Sequence, residues 1–82
     1  MSEIKIRNIL KEHGRLTKDA LVLDVSDDLY QAGMTSHASV NVMLGLESEF
    51  DVEFPDAMLK RSVFESIGAI RSALEQLQVV AA

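Results

Sequence analysis

The apolar residues of this chain recur with helical spacing near both ends and in the middle, and no stretch alternates convincingly as a half-buried strand would. Ile6, Ile9, Leu10 and His13 stand at i, i+3, i+4 and i+7 with Lys5, Arg7, Lys11 and Glu12 between them, and Gly14 follows as a stop. That spacing predicts an amphipathic helix over about residues 3–13. Val40, Met43, Leu46 and Phe50, helped by Leu44, predict a second helix from about Ala38 to Phe50 with this stripe buried. Ile67, Ile70, Leu74 and Leu77 predict a last helix, capped by Ser66. Before it, Phe54-Pro55-Asp56 ends one helical region and opens another: Pro55 holds Phe54 extended, and Asp56 is placed to N-cap a short third helix over Ala57 to Arg61. The expected fold is all-α, a four-helix bundle with a long first loop and a short third helix. Residues 1–82 are expected to form a single domain, with Val79 to Ala82 a frayed tail.

Between the first two helices, from Arg15 to Thr35, the helical period is lost. Leu21-Val22-Leu23 is a short apolar run flanked by Thr17, Asp19, Asp24, Ser26 and Asp27, read as a loop whose apolar residues plug the core. Asp28-Leu29-Tyr30-Gln31 is expected to make a helical turn with Leu29 and Tyr30 packed inward. A loop of about twenty residues is long for so small a domain unless it has a task. This one ends at Gly33-Met34-Thr35-Ser36, which delivers a hydroxyl to the start of a helix. Either Thr35 or Ser36 can cap that helix by accepting a hydrogen bond from an early backbone N–H. Gly45, inside the helix, costs about 1 kcal/mol relative to Ala, and marks either a close helix contact or room for a ligand.

Composition narrows the chemistry. The chain has no cysteine, which removes disulfides, thiolate nucleophiles and Cys-based metal sites together. Its start, Met-Ser-Glu-Ile-Lys, reads as neither a signal peptide nor a membrane span, so a cytoplasmic location is expected. The net charge of −5 is unevenly spread: from Asp19 to Asp56 there are nine acids and no Lys or Arg. Such a tract repels phosphate backbones and argues against nucleic-acid binding, while favouring a protein partner with a basic face.

Ser36 beside His37, with Asp27 and Asp28 nearby, has the residue types of a hydrolase without the arrangement. Adjacent helical residues point about 100° apart, and Ala38 stands where a nucleophile elbow needs its second glycine. A calcium loop starting at Asp24 fails because its sixth and twelfth positions are Leu29 and Thr35 rather than Gly and Glu. Two isolated histidines, His13 and His37, offer no zinc spacing; His13 reads as a helix-end side chain near the C-terminal dipole and His37 as a solvated surface residue. No metal site and no catalytic residue is therefore expected. What remains is a serine that either serves only as an N-cap or is modified by another enzyme; a phosphate ester at Ser36 would meet the free N–H groups and positive dipole end of the helix that follows.

At this point the residues resemble the acyl carrier protein family and its peptidyl and aminoacyl carrier relatives. The match runs from about Asp27 to Leu77 and includes Asp28-Leu29, Gly33-Met34-Thr35-Ser36, the run Leu46-Glu47-Ser48-Glu49-Phe50-Asp51-Val52-Glu53-Phe54-Pro55, and Ser66-Ile67-Gly68-Ala69-Ile70. The resemblance implies that Ser36 receives phosphopantetheine from coenzyme A through a phosphopantetheinyl transferase. The arm's thiol then holds an acyl or aminoacyl group as a thioester, and the protein delivers it to partner enzymes without catalysis of its own. The implied partners are a loading ligase and a downstream acyltransferase or synthase, and a monomer is expected. The implied docking surface uses Thr35, His37, Val40, Asn41, Leu44, Glu47 and Ser48, although Val40 and Leu44 also fit an ordinary core.

Two departures from the family pattern stand out. Thr35 replaces the usual Asp before the serine, keeping a capping oxygen but losing a negative charge, and His37 replaces an apolar residue after it, adding a titratable group. Asn41 and Ser48 likewise stand where acids are common in fatty-acid carriers. These departures imply a specialised carrier with dedicated partners, similar to bacterial stand-alone carriers charged with amino acids. The alternative is a non-carrying interaction module that binds a basic partner through the acidic tract.

Overall fold

The computed structural model describes residues 2–81. It contains helices α1 (Ser2–His13), α2 (Ser36–Phe50), α3 (Arg61–Phe64) and α4 (Ile67–Ala81), with a 3₁₀ turn at Asp56–Met58 before α3. No strand occurs among the described residues, so the fold is the all-helical bundle read from the spacing. Of the tail expected at Val79 to Ala82, the helix continues to Ala81 and Ala82 lies outside the described residues.

Helix α1 packs on α2 and α4, and α3 packs on α4. Ile6, Ile9 and Leu10 are the buried line of α1, and Ile67, Ile70, Ala73 and Leu74 that of α4. Ser66 caps α4 through its hydroxyl, which accepts from the Ala69 N–H at 3.0 Å. The buried line of α2 differs from the expected stripe. Ala38, Val42 and Leu46 go inside, Met43 and Phe50 pack at the margin, and Val40 and Leu44 remain 49% and 52% exposed. Both candidate lines have helical period; the choice falls to close approach. Small Ala38 sits fully inside, and Gly45 lies against α1, where an added Cβ would come within 3.0 Å of Ile9 Cγ2 and 3.2 Å of His13 Cδ2. Gly45 therefore marks a close helix contact.

The long loop is held from both sides. The Arg7 guanidinium donates to the carbonyls of Ala20 and Leu23 at 2.8 and 2.6 Å, and Thr17 donates to the Ala32 carbonyl through both its backbone N–H and its hydroxyl. Leu23 and Leu29 are buried and Tyr30 is half-buried. Leu21 and Val22, expected in the core with Leu23, are exposed instead, Val22 at 77%, because the turn at Asp19 that accepts the Leu21 and Val22 N–H groups points them to solvent. The turn after Asp28 forms as read: its carboxylate accepts from the Tyr30 and Gln31 N–H groups, and the Ala32 N–H reaches back to the Asp28 carbonyl.

The third helix lies further along than the sequence suggests. Asp56 does not cap a helix over Ala57 to Arg61; it begins the 3₁₀ turn, whose cap residue is Pro55 and makes no side-chain bond. The helical turn forms instead at Arg61–Phe64, where Phe64 meets Phe54 with ring centroids 5.2 Å apart. A four-residue helix has no independent stability, so the burial of Phe64, more than local propensity, decides where it forms.

Candidate functional site

Thr35 and Ser36 divide the duties at the head of α2. Thr35 is the cap: its backbone is extended and its hydroxyl accepts from the Ala38 N–H at 3.0 Å. Ser36 is the first helical residue, exposed, and its Oγ makes no hydrogen bond among the described residues. Its carbonyl accepts from the Ser39 hydroxyl at 2.6 Å. The approach is set by Gly33, whose φ of +113° suits glycine alone among common residues, and by the Met34 N–H bonded to the Leu29 carbonyl. A free hydroxyl is thus delivered to a helix N-terminus by a loop fixed in place, with its neighbour serving as cap.

Ser36 opens into a cavity of about 530 Å³. Val40, Met43, Leu59 and Phe64 supply apolar lining, and Tyr30, Lys60 and Arg61 line it as well, the two cations giving it a basic edge. The Arg61 guanidinium carbon lies 4.1 Å from the centroid of the Tyr30 ring. This donor set fits a phosphate-linked, flexible organic arm: an uncommitted hydroxyl for the ester, cations for the phosphate and an apolar channel for the remainder.

The remaining site residues separate into groups. His37 is exposed and has no hydrogen bond to Ser36. The acids that suggested a hydrolase are engaged in the loop, Asp28 in its turn and Asp27 accepting from the Asp24 N–H. Val40 shares the Ser36 cavity. Asn41, Leu44 and Ser48 line a second groove with Ile9, His13 and Glu49, between α2 and α1. Glu47 is half-buried and accepts the Phe54 N–H at 2.8 Å, so its carboxylate ties α2 to the segment after it. Tyr30, Lys60 and Arg61 went unrecognised in the sequence. The one available signal was that Lys60 and Arg61 end the cation-free tract.

A helical bundle that presents an idle serine hydroxyl at the head of its second helix, beside a channel with a cationic rim, is the architecture of a carrier domain. The family described as phosphopantetheine attachment site matches residues 5–74. The aminoacyl carrier protein of Agrobacterium fabrum is 46% identical over 70 residues, covering 85% of this chain and 84% of the relative. Among solved structures, the carrier protein of Agrobacterium tumefaciens, in complex with an engineered Bradyrhizobium japonicum glycine:[carrier protein] ligase and ATP, superposes with a TM-score of 0.89 at 42% identity. That match covers 93% of this chain and 99% of the other. The structure of the Bradyrhizobium japonicum ligase with a glycylated carrier protein gives a TM-score of 0.62 at 33% identity, covering 85% of this chain and 97% of the other. The chain belongs to the phosphopantetheine-bearing carrier protein family. It holds acyl or aminoacyl groups as thioesters on a phosphopantetheine arm, and the non-carrying alternative is set aside. No helix among the described residues is long and apolar enough to cross a membrane.

Proposed function

We propose that Ser36 is the residue that bears the arm, and that the cargo is an aminoacyl group, with glycine the first to test. The observation that carries the assignment is the division of labour between Thr35 and Ser36: the threonine caps α2, which leaves the serine hydroxyl exposed and uncommitted. An ester phosphate there meets the unpaired N–H groups and positive dipole end of a fifteen-residue helix. The relatives named above, an aminoacyl carrier protein and a carrier bound to a glycine ligase, support the cargo class and a ligase as the loading partner. The chain's own residues bind and position; none is arranged to catalyse, and chemistry resides in the partners. These are a phosphopantetheinyl transferase, the loading ligase and a downstream acyltransferase or synthase, all in the cytoplasm.

The docking surface in this reading surrounds Ser36 and continues along α2 through Thr35, His37, Val40, Asn41, Leu44 and Ser48. Glu47 supports it by fixing the end of α2. The test is intact mass spectrometry after incubation with coenzyme A, magnesium and a broad-specificity transferase. A gain of one phosphopantetheine is expected for the wild type and none for Ser36→Ala. A subsequent gain of one glycyl group with ATP, glycine and a glycine:[carrier protein] ligase is expected only on the loaded wild type. A wild type that stays bare with every transferase tried would sink the assignment.

A further inference from the structure

The cavity beside Ser36 has a basic rim inside an acidic molecule. No Lys or Arg occurs between Lys18 and Lys60, and the tract ends with two adjacent cations, Lys60 and Arg61, both facing the cavity that Ser36 opens into. Neither is paired: among the described residues, the carboxylate pairs within 4.0 Å belong to Lys5 and Arg7. Arg61 is nonetheless oriented, because its guanidinium stacks 4.1 Å from the Tyr30 ring centroid. Stacking on the face of a ring leaves the N–H edges of the fork available in its plane, the arrangement that suits bidentate contact with phosphate oxygens. Thr35, next to Ser36, is uncharged, and among the described residues no carboxylate lines the cavity these cations share.

We propose that Lys60 and Arg61 clamp the phosphodiester that joins the arm to Ser36, with Tyr30 as the platform that sets Arg61. This rests on Ser36 being the attachment residue. Two cations, one of them held against Tyr30, line the same cavity as the serine whose covalent link would introduce an anion, so the contact would form within one molecule and need no second binding event. The clamp holds the root of the arm against the rim while the distal part stays free to reach partner enzymes. Because the rim is exposed, its hold is sensitive to salt. Lys60 contributes charge, whereas Arg61 contributes charge and direction, so the two are not equivalent.

The experiment compares the loaded wild type with the loaded Lys60→Gln/Arg61→Gln double variant, each verified by intact mass. The ³¹P resonance of the diester is recorded at about 0.01 M and about 1 M salt, where the Debye length falls from roughly 30 Å to 3 Å. At low salt the two resonances are expected to differ, and at high salt to coincide. Arg61→Lys and Tyr30→Leu should each retain only part of the low-salt shift. A second measurement uses the wild type alone: the Arg61 Nε–H signal is expected to move when the arm is attached. Complete loading with coincident ³¹P resonances at low salt would overturn the clamp and leave the attachment site standing, as would an unmoved Arg61 Nε–H signal. A wild type that gains no mass would overturn the attachment site and the clamp together.

Discussion

Helix α2 carries aliphatic side chains on two sides with different fates. Ala38, Val42 and Leu46 are sealed in the core, whereas Val40 and Leu44, of the same chemical kind and interleaved with them, stay half in water. The first line drives folding; the second gives up far less surface to the core, with Val40 at the cavity that Ser36 opens into and Leu44 in the groove between α2 and α1. Residue type therefore does not separate core from contact surface on this helix. Only the phase of the helix against α1 does so, and that phase is set by the close approach at Gly45.

The contrast breaks most visibly at Leu46. Truncating it to Ala removes fully buried methyl groups and leaves a cavity, so a loss of about 2–5 kcal/mol is expected, read as a lowered midpoint in urea denaturation. A smaller effect is expected at the junction of the two faces. Thr35→Ala removes the cap bond to Ala38 and should cost about 1 kcal/mol in the same assay. Its Ser36 hydroxyl would still gain the arm, which shows whether cap and acceptor are separate functions. The smallest change in stability belongs to the outer face: Leu44→Ser should stay within about 0.5 kcal/mol of the wild type. The same variant should slow ligase loading roughly tenfold in kcat/KM, equivalent to about 1.4 kcal/mol of docking. If Leu44→Ser instead unfolds the protein, the division of α2 into two faces is wrong.

Much of the architecture was legible because it is local. The period of α1 and α4 and the Ser66 cap each depend on residues a few positions apart, and the structure keeps them. The serine at the head of α2 was equally legible, since a glycine turn followed by a polar helix start is a short-range signal. What escaped the sequence depends on distant partners. The exposure of Leu21 and Val22 follows from a turn at Asp19 and a loop pinned by Arg7. The placement of α3 follows from Phe64 finding Phe54. The cationic rim exists because Tyr30 and Arg61, far apart along the chain, are brought face to face. Capping was ambiguous for another reason: Thr35 and Ser36 are both good cap residues, and only the backbone geometry separates them.

Behind the channel, the loop that ends at Ser36 is buckled to the α3–α4 corner by two main-chain bonds, the Leu29 N–H to the Glu65 carbonyl at 2.7 Å and the Gly68 N–H to the Val25 carbonyl at 2.9 Å. Tyr30 and Arg61, the two jaws of the rim, stand on the strips so fastened. The spacing of their backbones is consequently a property of the whole loop, and on that fixed base the two side chains close against each other at 4.1 Å. With ring and guanidinium in contact nothing passes between them, so a passenger travels along the cavity beside this pair, whichever enzyme put it aboard.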